Sequence, residues 1–166
     1  MNREIRPANI EDLDPLMGIT RRCIENLDKH GIYQWDKIYP SRKDFHEDIV
    51  EQTLYVITSP SGGNISGCIC INEVEYPGYE NAGWSGSGFF VIHKMIIDPL
   101  CENRGHGKMA MQFAEEISGL IGKDSIRLDC FRKNFRANQF YQRCGYTIKG
   151  ETLFRKGMFN LYEKLI

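Results

Sequence analysis

Between Met95 and Glu116 the chain reads MIIDPLCENRGHGKMAMQFAEE. An apolar run breaks at Asp98-Pro99, a short polar connection follows, then a Gly-x-Gly pair and an amphipathic helical pattern. Few folds accommodate that order. A strand must deliver the chain directly to a helix start, and Gly105 and Gly107 let the backbone come close to a ligand there. A helix start presents N–H groups without intrahelical partners and carries partial positive charge. The segment suits a phosphate or pyrophosphate.

At 166 residues the chain is most economically one domain, residues 1–166, with a substantial core. Lys plus Arg number 21 against 22 acids, so no strong field draws it to nucleic acid or a membrane surface. The aromatics are not interleaved with a basic stripe, which also argues against nucleic acid. The polar opening MNREIRPANIEDLD is not a signal peptide, and no apolar run approaches a transmembrane span. Six cysteines (Cys23, Cys68, Cys70, Cys101, Cys130 and Cys144) form no CxxC and no finger spacing. They read as small buried hydrophobes in a reduced, cytoplasmic protein, with no metal.

Glu4 to Ala8 reads as a short first strand closed by proline. A helix follows with a stripe of Leu13, Leu16, Met17, Thr20, Cys23, Ile24 and Leu27. Asn9, Asp12 and Asp14 are its possible caps, and Pro15, tolerated only in a first turn, favours Asp12 or Asp14. His30 to Pro40 is aromatic and irregular. Ser41 caps a second helix with Asp44 three residues on and a stripe of Phe45, Ile49 and Val50. Leu54 to Thr58 is a strand, the turn chemistry of Ser59 to Asn64 predicts a hairpin, and Ile65 to Val74 is the returning strand. Tyr76 to Gly88 is a Gly- and Tyr-rich loop.

Phe89 to Asp98 is apolar almost throughout, as in a strand covered on both faces. After the glycine pair a helix carries Met109, Phe113, Ile117, Leu120 and Ile121 on one face. Another strand alternates Ile126, Leu128 and Cys130 with Arg127 and Asp129. A last helix, from about Phe135, carries Ala137, Phe140, Tyr141 and Cys144 and stops at Gly145. Thr147 to Leu153 and Phe159 to Leu165 close the chain as strands. The order predicts an α/β fold, a mixed sheet with helices on both faces.

Three glycine-rich motifs compete for the Gly105 segment. A Walker loop needs a Gly separated by four residues from the Gly-Lys pair and Ser or Thr after it, where Glu102 and Met109 stand. Gly105-x-Gly107-x-x-Ala110 fits the dinucleotide fingerprint, with Asp129 downstream, but those glycines should follow the strand almost directly and open a parallel βαβ run. The third matches better. VIHKMIIDPLCENRGHGKMAMQFAEE resembles motif A of the GNAT superfamily of acyl-CoA-dependent N-acetyltransferases. Ile97-Asp98-Pro99 matches its strand end and Gly105-His106-Gly107 its glycine core. Asn134 to Tyr146 resembles the second signature, Asn-x-x-Ala-x-x-x-Tyr-x-x-x-Gly-(Phe/Tyr), and the element order matches along nearly the whole chain.

The resemblance implies a GNAT fold: a central, mixed, mostly antiparallel twisted sheet of about seven strands, flanked by four helices, with two parallel strands splayed at the cofactor site. It implies acetyl-CoA as co-substrate, its pantetheine arm paired with backbone around Met95, Ile96 and Ile97. The pyrophosphate would rest on backbone amides from Arg104 through Gly105, His106, Gly107 and Lys108 to Met109, with Arg104 or Lys108 adding charge. Glu102 departs from the pattern, standing where Arg or Gln is usual and repelling a pyrophosphate. Asn134 would contact the cofactor as well as cap a helix, and Tyr141 would protonate the departing thiolate.

For the base, His93 has a suitable ordinary pKa of about 6.5. Glu73, Glu75, Asp129 or a water chain are the other choices. The acceptor, a small-molecule or peptide amine, would meet Tyr33, Gln34, Trp35, Glu73 and Trp84, with Tyr76 and Tyr79 nearby. Packing of the helix pair on the sheet accounts for Trp35 equally well. The expected protein is a monomer or homodimer with neither nucleic-acid nor membrane partners. The rival from another class is a non-catalytic acyl-CoA-binding module on the same fold.

Overall fold

A computed structural model describes residues 4–59 and 63–166. Seven strands form one mixed sheet in the order β1-β2-β3-β4-β5-β7-β6. They are β1 (Glu4–Pro7), β2 (Leu54–Thr58), β3 (Ile65–Asn72), β4 (Phe89–Ile97), β5 (Ser125–Phe131), β6 (Thr147–Phe154) and β7 (Gly157–Leu165). The helices are α1 (Leu13–Lys29), α2 (Arg42–Val50), α3 (His106–Ile121) and α4 (Phe135–Arg143). β4 and β5 run parallel, while β1–β2, β2–β3, β5–β7 and β6–β7 are antiparallel. A parallel pair needs a long crossover, which α3 supplies. The expected α/β sheet of seven strands with four helices is what the described residues form.

The chain divides into two compact units, one of residues 1–71 and 94–113, the other of 72–93 and 114–166. In the first, Leu16, Ile19 and Cys23 of α1 pack with Phe45 of α2 on Leu54, Val56, Cys68, Cys70 and Ile96. Phe45 is fully enclosed, and burying such a side chain stabilises by about 1.5–3 kcal/mol. Ser41 caps α2 in a reciprocal box with Asp44. In the second unit Tyr79, Val91 and Leu161 form a core under Tyr76, Ala82, Trp84, Phe89 and Phe154.

Four details differ from the sequence reading. A 3-10 turn (Ile10–Asp12) precedes α1, so Asp12 holds the N-cap position of α1 without a side-chain cap bond, and Asn9 caps the turn, accepting from Glu11 while Asp12 answers its backbone N–H. On α2, Val50 is exposed, and the buried position goes to Asp48, which has an ionic partner inside. On α3 the buried face is Ala110, Met111, Ala114 and Ser118, while Leu120 and Ile121 lie exposed. Small residues let a helix approach closely, and the Ser118 hydroxyl is satisfied by the Ala114 carbonyl at 2.6 Å. β3 stops at Asn72 and is buried on both faces between its ends. Ser59 N–H donates to the Asn64 carbonyl at the base of the expected hairpin, but the turn residues Pro60, Ser61 and Gly62 lie outside the described residues.

All six cysteines are free, and Cys23, Cys68, Cys70 and Cys130 are buried. Among the described residues no helix is long and apolar enough to cross a membrane.

Candidate functional site

In the first unit the residues expected to hold the cofactor follow one another along the chain. Met95, Ile96 and Ile97 end β4, with Ile96 buried and its neighbours half-buried. Gly67 of β3 backs directly onto them, since a Cβ there would meet the Ile96 carbonyl oxygen at 2.3 Å. Just before them Lys94 has a left-handed backbone, φ 46°, rare inside a strand for a residue with a side chain. Its ammonium is buried 2.9 Å from the Asp48 carboxylate and 5.3 Å from the centre of the Tyr39 ring. Burial pushes the Asp48 carboxyl up, and Lys94 opposes that shift.

Past β4, Asp98 organises the connection. Its backbone N–H donates to Ser66, its side chain accepts from Leu100 N–H and from both Nε and Nη2 of Arg22, and its carbonyl accepts from Cys101. The Arg22 guanidinium holds this carboxyl below the usual aspartate range, more than offsetting burial. A 3-10 turn (Pro99–Cys101) follows, then Asn103 and Gly105 at φ 59° and 79°, and α3 begins at His106. His106 is buried, and its Nδ1–H donates to the Cys101 carbonyl at 3.0 Å. That fixes the turn and makes the His106 side chain a brace. Arg104 and Lys108 are exposed, no acid lies in the first turn of α3, and Glu102 is half-buried one step before the turn's bend. Of the expected acceptor residues here, Tyr33 is exposed, Gln34 is half-buried and Trp35 packs on the α1–α2 core.

In the second unit the β4–β5 ladder runs from Phe89–Ser125 to Ile92–Leu128, while β5 itself continues to Phe131. His93 is buried, with Nε2 2.9 Å from the Val74 carbonyl and 3.1 Å from Asn72 Oδ1. A carbonyl only accepts, so Nε2 carries a proton. The His93 ring also lies 4.7 Å from that of Tyr76. Glu73 is paired with Lys123 at 2.9 Å, and Glu75 with buried Arg127. Trp84 donates its indole N–H to the Tyr79 carbonyl and lies against the Arg127 guanidinium. The structure thus groups Trp84, Tyr79 and Arg127, and separately His93 with Tyr76, while Glu73 is held by Lys123.

Asn134 caps α4, accepting from Ala137 N–H at 3.1 Å. Tyr141 is 8% exposed, and its ring packs near those of Phe140, Tyr146 and Tyr162. Among the described residues its hydroxyl has no hydrogen-bond partner. Burial pushes its pKa well above the ordinary tyrosine value, with Cys130 and Asp129 adding to the shift. Such a phenol keeps its proton, and its hydroxyl is unspent.

Three features escaped the sequence reading. One is the Lys94–Asp48 pair. The second is Asn138, whose amide donates to the Phe131 and Asn134 carbonyls while its Oδ1 accepts from Asn160 and Tyr162. The third is the bond from Tyr79 to Asp129. The first two gave no signal beyond a polar residue on a helix, Asp48 or Asn138, and a lysine in an otherwise apolar strand. Tyr79 and Asp129 both stand among the candidate residues by sequence, but nothing in the sequence joins them.

Residues 21–146 match the model of the acetyltransferase (GNAT) family. No curated protein matches the chain in sequence. Among solved structures, a GNAT-family acetyltransferase from Streptococcus agalactiae superposes with a TM-score of 0.82 at 20% identity, over 99% of this chain and 95% of that one. The PaiA N-acetyltransferase of Thermoplasma acidophilum, solved in complex with coenzyme A, gives 0.77 at 20% identity over 100% of both chains. The loading GNATL domain of CurA from Lyngbya majuscula gives 0.76 at 14%, over 99% of this chain and 98% of that one.

Proposed function

The chain belongs to the acetyltransferase (GNAT) family, and on that premise we propose that it moves the acetyl group of acetyl-CoA to a primary amine of a small molecule or peptide. Residues 1–166 act as one catalytic domain. The observation that carries the reading is Tyr141, a buried tyrosine at the signature position whose hydroxyl is uncommitted among the described residues and whose proton is held tightly. A phenol spent on structure would be hydrogen-bonded.

Backbone groups of Met95, Ile96 and Ile97 pair with the pantetheine arm, and an N–H there polarises the thioester carbonyl as charge develops on its oxygen. The N–H groups from Arg104 through Gly105, His106, Gly107 and Lys108 to Met109 receive the pyrophosphate. Arg104 and Lys108 supply the positive charge that Glu102 withholds. Asn134 adds a cofactor contact to its cap. The amine attacks the carbonyl carbon, the C–S bond breaks, and Tyr141 protonates the sulfur.

Tyr33, Gln34, Trp35, Glu73 and Trp84 shape the acceptor side. Trp35 and Trp84 do so as packed walls, and exposed Tyr33 by direct contact. His93, with its Nε2 proton committed to Val74, serves in this reading to fix the β3–β4 connection rather than to take the amine's proton. The six free thiols agree with a cytoplasmic setting.

The test is release of free CoA from acetyl-CoA across a panel of amines, with thermal shift as a second readout. Acetyl-CoA is expected to raise the melting temperature, and NAD and ATP to leave it unchanged. Turnover of any amine supports transfer. Stabilisation by acetyl-CoA with no turnover of any amine would favour an acyl-CoA-binding module instead.

A further inference from the structure

Asp129 sits on β5 one residue past the end of the β4–β5 ladder. Its Oδ2 accepts the Tyr79 hydroxyl at 2.8 Å, and Tyr79 is fully buried. Among the described residues Oδ1 accepts nothing, and the residue is partly open to solvent. One oxygen is anchored and the other is available, as a working carboxylate requires.

The two faces of β5 carry different groups. Asp129 lies opposite Leu161, which packs in the core of Tyr79 and Val91 beneath the Tyr76–Trp84 loop. The next residue, Cys130, lies opposite Asn160, whose amide reaches Asn138 of α4. Tyr162, opposite Leu128, also donates to Asn138 and lies near Tyr141. Asp129 therefore projects to the loop face and Tyr141 belongs to the α4 face, with β5 between them. In acyl transfer the incoming nitrogen and the departing sulfur occupy different sides of the carbonyl carbon, so base and acid are best supplied from different directions.

Building on the acetyltransferase reading above, we propose that Asp129 is the general base that deprotonates the acceptor amine, with Tyr79 as the residue that positions it. Oδ1 takes a proton from the ammonium, and the freed lone pair forms the C–N bond. The tetrahedral centre collapses as the nitrogen releases its second proton to solvent. The C–S bond breaks with its electron pair on sulfur, and sulfur takes the Tyr141 proton, which solvent replaces. Asp129 then passes its proton to solvent, so the net change is one amide, one thiol and one proton released.

The surroundings suit the task. Burial pushes the Asp129 carboxyl up to about 6, and the Tyr79 hydrogen bond acts against that rise. The group is ionised at neutral pH but far more basic than an ordinary aspartate. Arg127, two residues back on the same face, is committed to Glu75, the Gly86 carbonyl and Glu163. The other titratable groups that feel the Asp129 charge are the Cys130 thiol, whose pKa burial pushes up, and Tyr141, while His93 follows the last rung of the ladder on β4.

The test uses the amine that the wild type acetylates best, so wild-type turnover checks the underlying reading before any variant is compared. D129N is expected to bind acetyl-CoA with unchanged Kd while kcat falls by about 10²–10⁴-fold, and D129E to recover part of that loss. Y79F keeps the carboxylate but removes the bond that holds its pKa down. The acidic limb of its kcat/KM profile is expected to move from near pH 6 to higher pH. A merely structural role for Tyr79 would not move that limb. Wild-type kcat in D129N, or an unmoved limb in Y79F, would overturn the assignment while leaving acetyl transfer standing. A wild type inactive on every amine would instead remove the reading beneath it.

Discussion

The ammonium of Lys94 and the carboxylate of Asp48 form an ion pair at 2.9 Å, with both side chains almost wholly enclosed. Lys94 is also the strand residue with a left-handed backbone, immediately ahead of Met95. The pair thus ties α2 to the point where β4 bends, and the electrostatics of one helix fix the path of the strand beside it.

Removing one partner of such a pair leaves an uncompensated buried charge, at a cost of about 3–5 kcal/mol. Lys94→Met is expected to lose stability on that scale in urea unfolding. Lys94→Met combined with Asp48→Leu should lose much less, because no charge is then stranded. Equal losses in the single and double variants would show that packing, not charge, sets the cost.

Asp98 gives a pH dependence with a definite sign. Arg22 lowers its folded pKa, so its contribution is fully present above the unfolded value of about 3.8 and fades as pH falls through the folded value. Asp98→Asn is expected to cost about 1.5–3 kcal/mol near pH 7, the range for a hydrogen bond to a charged group. The difference from wild type should shrink below pH 4 in chemical unfolding measured across pH. Acetyl-CoA affinity should fall in the same variant at neutral pH, because Asp98 shapes the turn ahead of α3.

Two glycines separate backbone strain from crowding. Gly105 has φ 79°, where a side chain costs about 1–2 kcal/mol, so Gly105→Ala is expected to lose that much and to weaken acetyl-CoA binding. Gly67→Ala would drive a Cβ to 2.3 Å from the Ile96 oxygen, and overpacking of this kind costs about 1–3 kcal/mol. Calorimetric titration with acetyl-CoA should find both weakened, Gly67→Ala through displacement of β4.

Tyr141→Phe is expected to lower kcat by about 10²-fold or more with little change in acetyl-CoA Kd, since no hydrogen bond within the described protein is lost. Burial holds the phenol proton on beyond the ordinary tyrosine range. The wild-type kcat should therefore show no alkaline limb from this group below about pH 10. Full turnover in Tyr141→Phe would end its role as acid.

Local chemistry explains what could be read in advance. The Ser41–Asp44 box, the turn residues ahead of Ile65 and the glycine pair at the start of α3 act over a few positions, so the element order and most boundaries followed from sequence. The burial of α3 did not, because a stripe of large side chains is the stronger visual pattern, whereas Ala110, Ala114 and Ser118 let the helix settle closely. Pairs formed across the fold were hidden for a plainer reason. Tyr79 and Asp129 lie 50 residues apart, and no periodicity announces that a tyrosine in a glycine-rich loop will orient a carboxylate on a strand. His93 illustrates the converse: its residue type suggested a base, but its hydrogen-bond partners are what define its proton.

The burial of the cysteines makes the protein its own reporter. Burial pushes the Cys23 and Cys70 thiols up to about 12 and those of Cys68 and Cys130 higher still, so none of the four forms a nucleophilic thiolate near neutrality. Only Cys101 and Cys144 are partly open. Cys101 lies in the turn whose carbonyl receives the His106 proton, and Cys144 ends the helix that carries Tyr141. A thiol-reactive dye would therefore mark the two segments where ligand-dependent change is expected, with no engineered cysteine and a silent interior as background.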